Sequence, residues 1–94
     1  MTFSTEQLQA AHKHSSHHRA ELEASDICGC FYCRSTYPPD EIEEWIDEGD
    51  GTALCPKCDI DSVLGAASGY PVSDPDFLTA MHEHWFERIV HVEN

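Results

Sequence analysis

Five of the 94 residues are cysteines, and four of them form two CxxC pairs, Cys30-Phe-Tyr-Cys33 and Cys55-Pro-Lys-Cys58, with 21 residues between the pairs. Zinc takes four soft ligands in a tetrahedron, with Zn–S bonds near ~2.3 Å. A CxxC turn offers two sulfurs to one ion, while its backbone amides donate to the thiolates. Two such turns close the shell and leave no position for water. The spacing therefore predicts one structural Zn2+ held by Cys30, Cys33, Cys55 and Cys58, not a catalytic ion. Structural zinc in small peptides binds with roughly 10–16 kcal/mol, more than the whole stability margin of a small domain. A redox CxxC would leave the second pair unexplained. An iron–sulfur cluster also uses four cysteines, but zinc is the more usual occupant of this pattern in a small domain.

Cys28 is the fifth cysteine, two positions before Cys30 in the run CGCFYC. Three roles are open to it: ligand in place of Cys30, small buried hydrophobe, or free thiol. Only Cys30 has the two-residue spacing to Cys33 that a knuckle needs, so Cys30 is the expected ligand.

Histidines are the other metal-binding residues. His12, His14, His17 and His18 cluster in HKHSSHH, and on a helix His14 would neighbour His17 or His18. A second metal site or a pH-sensitive patch is one reading. An exposed polar helix face is the simpler one and is preferred. His82 and His84 flank an apolar stripe as boundary residues. The acids Asp40, Glu41, Glu43, Glu44, Asp47, Glu48 and Asp50 form a dense run. It reads first as a solvated helix face opposite Ile42, Trp45 and Ile46, and second as a docking surface for a basic partner.

Eighteen acids against five bases give a formal net charge of −13. Four metal-bound thiolates and a divalent ion take this to about −15. Nucleic-acid binding relies on Lys and Arg neutralising phosphates, so direct binding is disfavoured and a basic partner is electrostatically easier. The N-terminus lacks the basic and apolar regions of a signal peptide, and no stretch approaches the roughly 20 apolar residues of a membrane span. The chain is expected to be soluble and cytoplasmic, where paired CxxC motifs bind metal before they form disulfides.

The elements that must position the cysteines follow from the remaining pattern. One domain is expected over 1–94: a His-rich helix within 1–25, zinc knuckles with a short acidic helix over 26–66, and an amphipathic helix over 73–92. Ser4 or Thr5 suits the cap of the first helix. PPDEIEEWIDEG reads as helix, with Pro39 in the first turn and Gly49 as its stop. Thr52 to Leu54 suits a short strand, and Ile60 to Leu64 a helical turn. Ser73 or Asp74 caps the last helix, whose stripe is Leu78, Met81, Trp85 and Ile89, broadened by Phe77, Phe86 and Val90. The fold class is thus α+β, small and zinc-stabilised: a zinc-ribbon or treble-clef-like double knuckle packed between an N-terminal and a C-terminal helix. Nucleases of the HNH class also carry paired CxxC knuckles. They place a catalytic histidine between the pairs, where this chain has none.

The blocks AHKHSSHHRAELEAS, CGCFYC, PPDEIEEWIDE, TALCPKCDIDSVLG, SGYP and MHEHWF together resemble a family of small bacterial zinc-knuckle proteins described only as "cytoplasmic protein". Its typical block looks like ALCPxCGIDSVIG, and Asp59 stands where that block has glycine. Asp meets a left-handed backbone requirement less comfortably than Gly. The resemblance implies a cytosolic zinc-binding protein of unassigned activity and supplies no catalytic residue. The expected function is a protein-interaction module acting through an acidic surface. Its rivals are an acidic nucleic-acid mimic that inhibits a nucleic-acid enzyme, and a hydrolase-like or nuclease-like enzyme built on His12, His14, His17 or His18.

Overall fold

Leu8 and Ala11 are buried on one side of the first helix, α1 (Thr5–His12). Ser4 caps it in a reciprocal box: Gln7 N donates to Ser4 Oγ at 3.1 Å, and Ser4 N donates to Gln7 Oε1 at 2.9 Å. The computed structural model describes residues 3–46 and 51–87.

The expected single helix through the histidines is instead two short ones. A tight turn over Lys13–Ser15 ends α1, Ser16 is extended, and His17 has φ 49° before α2 (Arg19–Glu23) begins. Local side-chain bonds explain the break. Ser15 Oγ donates to His12 O at 2.6 Å, and the His18 ring turns inward to the His14 carbonyl. Such bonds compete with the helical ladder.

Three strands form an antiparallel sheet in the order β2-β1-β5: β1 (Cys28–Cys30), β2 (Thr36–Tyr37) and β5 (Val63–Gly65). Gly65 lies opposite Cys28 and Val63 opposite Cys30. Side chains alternate across this sheet. Cys28, Cys30 and Val63 join Leu22, Tyr37, Ile42, Ala53 and Cys55 in one core. Leu64 joins Leu8, Ala11, Phe31, Val72, Phe77, Leu78 and Met81 in the other. A Cβ on Gly29 would lie 2.8 Å from Val72 O, and one on Gly65 would strike the Ser25 hydroxyl and Leu22. Both glycines let backbone approach backbone or helix on the two faces of the sheet.

Two helical expectations are corrected here. The acidic segment makes only a turn over Pro39–Glu41; Ile42 is then extended, and β3 (Trp45–Ile46) pairs with β4 (Thr52–Ala53) in a second antiparallel sheet. Leu54 N donates to Glu44 O at 3.0 Å to continue the pairing. Burial of Ile42 and seating of Trp45 beneath the Arg19 guanidinium, 4.7 Å from the ring centroid, favour the extended chain over the local helical pattern. Asp47, Glu48, Gly49 and Asp50 lie outside the described residues. The segment after the second knuckle is strand β5, not a helical turn, because Val63 and Leu64 are buried on opposite faces.

The last helix, α3 (Pro75–His82), starts as expected: Pro75 is its first residue, and Asp76 N donates to the Asp74 side chain at 2.9 Å. It passes into a wider π-type turn over Glu83–Glu87. Phe77, Leu78 and Met81 are buried, with Trp85 and Phe86 packed beside them. Ile89, Val90 and the rest of the expected 73–92 helix beyond 87 lie outside the described residues. No described helix is long and apolar enough to cross a membrane.

Candidate metal centre

Each CxxC pair sits in a turn leaving a strand or a hairpin, and the two turns repeat each other. Arg34 N donates to Cys30 O at 2.7 Å, and Asp59 N donates to Cys55 O at 2.8 Å. Cys30 N donates to Ser35 O at 3.0 Å, and Cys55 N donates to Ile60 O at 3.0 Å. The residue after each pair is left-handed, Arg34 at φ 64° and Asp59 at φ 65°. Asp59 therefore meets the backbone requirement that glycine would meet, and its turn matches that of the first knuckle.

The knuckles bring the sulfurs of Cys30, Cys33, Cys55 and Cys58 within 4.8 Å of one another. Cys30 Sγ lies 3.6 Å from Cys58 Sγ, and Cys33 Sγ lies 3.7 Å from Cys55 Sγ. A tetrahedron with ~2.3 Å bonds has edges of about 3.8 Å. The four cysteines are thus positioned to bind a metal ion, and zinc fits the donor set. Cys30 and Cys55 are buried, while Cys33 and Cys58 are partly exposed.

Donors surround the sulfurs in the same repeated pattern. The Cys33 and Tyr32 amides point to Cys30, the Lys57 amide to Cys55 at 3.3 Å, the Ser35 amide to Cys33 and the Ile60 amide to Cys58. The Ser35 hydroxyl adds a donor to Cys33. Burial pushes the Cys30 thiol well above the ordinary value, and pushes Cys58 up to about 11. At Cys33 burial acts the same way, but the Ser35 hydroxyl and amide and the Cys55 and Cys30 thiols outweigh it and bring the group down to about 7. Cys33 is thus held below its ordinary range, and a bound divalent cation would favour the thiolate form of all four sulfurs.

Cys28 takes the second of its three roles. Its side chain shares a face with Cys30 but lies two residues back along β1, opposite Tyr37 and Gly65. That offset is roughly 6.6–6.8 Å of strand, and Cys28 is outside the sulfur cluster. It is fully buried, and burial raises its thiol to about 11.

Among the described residues, no histidine belongs to the cysteine cluster. His14 Nδ1 is paired with Glu21 at 3.0 Å, and the His12 ring stacks on Trp85 with centroids 4.0 Å apart. His17 is exposed, and its amide donates to Thr52 Oγ1 at 2.9 Å. His18 is buried: Ala53 N donates to its Nε2 at 3.0 Å, while Nδ1–H donates to the His14 carbonyl. With His18 N donating to Gly51 O at 2.9 Å, this histidine ties the helical segment to β4 just before the second knuckle. His82 Nδ1 lies 3.1 Å from Phe31 O, beside the first knuckle.

Asp40, Glu41, Glu43 and Glu44 are exposed, on a turn and the segment that leads into β3, in place of the expected helix. A pocket of about 140 Å³ beside the second knuckle is lined by Glu43, Glu44, Leu54, Cys55, Pro56 and Asp59. The sequence reading missed the roles of Ser35 and His18. Ser35 had a signal, since it stands two residues after Cys33 as Ile60 does after Cys58. His18 acts across the fold and leaves no local pattern.

Comparison of the chain with protein-family models, curated proteins and solved structures gives no match. The resemblance noted from the sequence blocks is left as a resemblance, and the site is supported by its own geometry.

Proposed function

We propose that Cys30, Cys33, Cys55 and Cys58 hold one structural Zn2+ and that the chain is a cytoplasmic protein-interaction module whose acidic surface meets a basic partner. The observation that carries the zinc reading is the cluster of four sulfurs with edges of 3.6 and 3.7 Å. The ion's chemistry here is crosslinking. Four thiolates on two knuckles would join the β1–β2 hairpin to the β3–β4 hairpin and leave no coordination position for a substrate. With a strand after the second knuckle, the arrangement is nearer a zinc ribbon than a treble clef.

The interaction reading rests on charge. Exposed Asp40, Glu41, Glu43, Glu44, Asp59 and Asp61 lie on the knuckle half of a chain with a formal charge of −13. Complementary charge speeds encounter and suppresses wrong partners. The expected outcome of Glu43→Lys with Glu44→Lys is loss of a basic partner captured from native lysate by the zinc-loaded protein. The wild-type complex is expected to weaken with rising salt. Capture that survives both the double substitution and high salt would contradict the acidic-surface reading.

A further inference from the structure

Tyr37 closes β2 opposite Cys28, with its ring in the core that holds Cys30 and Cys55. It is 3% exposed, and its hydroxyl oxygen is buried without a hydrogen-bond partner among the described residues. Leaving such a group unsatisfied costs about 1–3 kcal/mol, so a lone phenol here needs an explanation. Cys30 and Cys55 share that core with it, and the polar group acting most strongly on the phenol is the Cys55 sulfur.

Cys55 is fully buried, beyond the reach of solvent, and accepts from the Lys57 amide at 3.3 Å. A zinc ion with four thiolates carries a net charge of about −2, and such charge in a core is stabilised by donors to the sulfurs.

We propose that Tyr37 is a positioning residue of the metal centre, its O–H donating to the Cys55 thiolate in the zinc-loaded protein. This rests on the zinc reading above. The bond would satisfy the orphaned hydroxyl and would fix the orientation of the second knuckle against β2.

Tyr37→Phe, which removes only the oxygen, tests this in the whole chain, with Tyr70→Phe, a half-buried ring stacked on Phe77 in the other core, as control. Chelator competition should show about tenfold weaker zinc binding in Y37F, the lower end of the range for outer-shell partners. The sulfur-to-metal charge-transfer band of the Co2+ form should move to lower energy. Y70F should match wild type in both. In the 113Cd-substituted wild type, the Tyr37 hydroxyl proton should resist exchange and couple to the metal through Sγ. Equal affinity and equal spectra in Y37F and wild type would overturn the proposal. If Y37F does not fold, the wild-type cadmium coupling decides: its presence supports the bond, and a freely exchanging hydroxyl overturns it. A wild-type protein that takes no metal defeats the zinc reading itself, before any variant is compared, and the Tyr37 bond falls with it.

Discussion

At the scale of single residues, the two positions after the knuckles show how backbone decides side chain. Arg34 and Asp59 both sit near φ 65°, a region that costs a residue with a Cβ roughly 1–2 kcal/mol. Glycine there removes that strain and loses about 0.5–1 kcal/mol to backbone entropy. Asp59→Gly is therefore expected to raise stability by about 0.5 kcal/mol in denaturant unfolding. The sequence carried this requirement in the block comparison, because a left-handed position is a local property. Cys28 was not decidable in the same way: only the strand register shows that its sulfur is displaced from the cluster. In the zinc-loaded protein the four ligands would be ionised, leaving Cys28 as a buried thiol with its proton. Its value rises from 9.0 to about 11 on folding. A raised thiol stabilises the fold fully below pH 9 and loses that contribution as pH climbs toward 11. Melting curves between those limits should fall less steeply for Cys28→Ala than for wild type.

Among the elements, those whose signal is local were readable and those made by pairing were not. The Asp74-Pro75 start of α3 and the Ser4 cap need only neighbours in sequence, and each was one of two caps expected; the reciprocal bond from Gln7 was not read. The segment through Ile42 and Trp45 has helical spacing. It becomes strand because Trp45 pairs with Ala53 and Ile42 fills the core around Cys55. Strands of two residues are also too short to show alternation. The break between α1 and α2 has the same origin, since His18 leaves the helical face to bond Ala53. That tie makes a sharp prediction. Removing the ring in His18→Ala leaves the Ala53 amide and the His14 carbonyl without partners, and should destabilise by about 3 kcal/mol in urea unfolding. His14→Ala, which loses the partly exposed pair with Glu21 and a tilted ring contact with Tyr70, should cost less than about 1 kcal/mol.

For the whole molecule, the sheet β2-β1-β5 divides two small cores, and the sulfur cluster lies at the edge of the one that also holds Leu22, Tyr37 and Ile42. A single core in a chain of this size gives a narrow margin, and a metal crosslink between the two hairpins would supply the rest. The cysteine pairs were legible because two-residue spacing is itself the metal-binding geometry. The core they crosslink was not, because it is assembled from five separate elements. Charge acts at this scale too: the first twenty residues carry one acid, two bases and four histidines, while the knuckle half is strongly acidic. The central claim is that two knuckles and one ion hold the fold together. Metal quantification by mass spectrometry on the natively purified chain and its single cysteine variants tests it most directly. The expected result is one zinc per chain in wild type and Cys28→Ala, with zinc lost in Cys30→Ala and Cys55→Ala. Absence of zinc from the wild type, iron in its place, or loss in Cys28→Ala with retention in Cys30→Ala would contradict it.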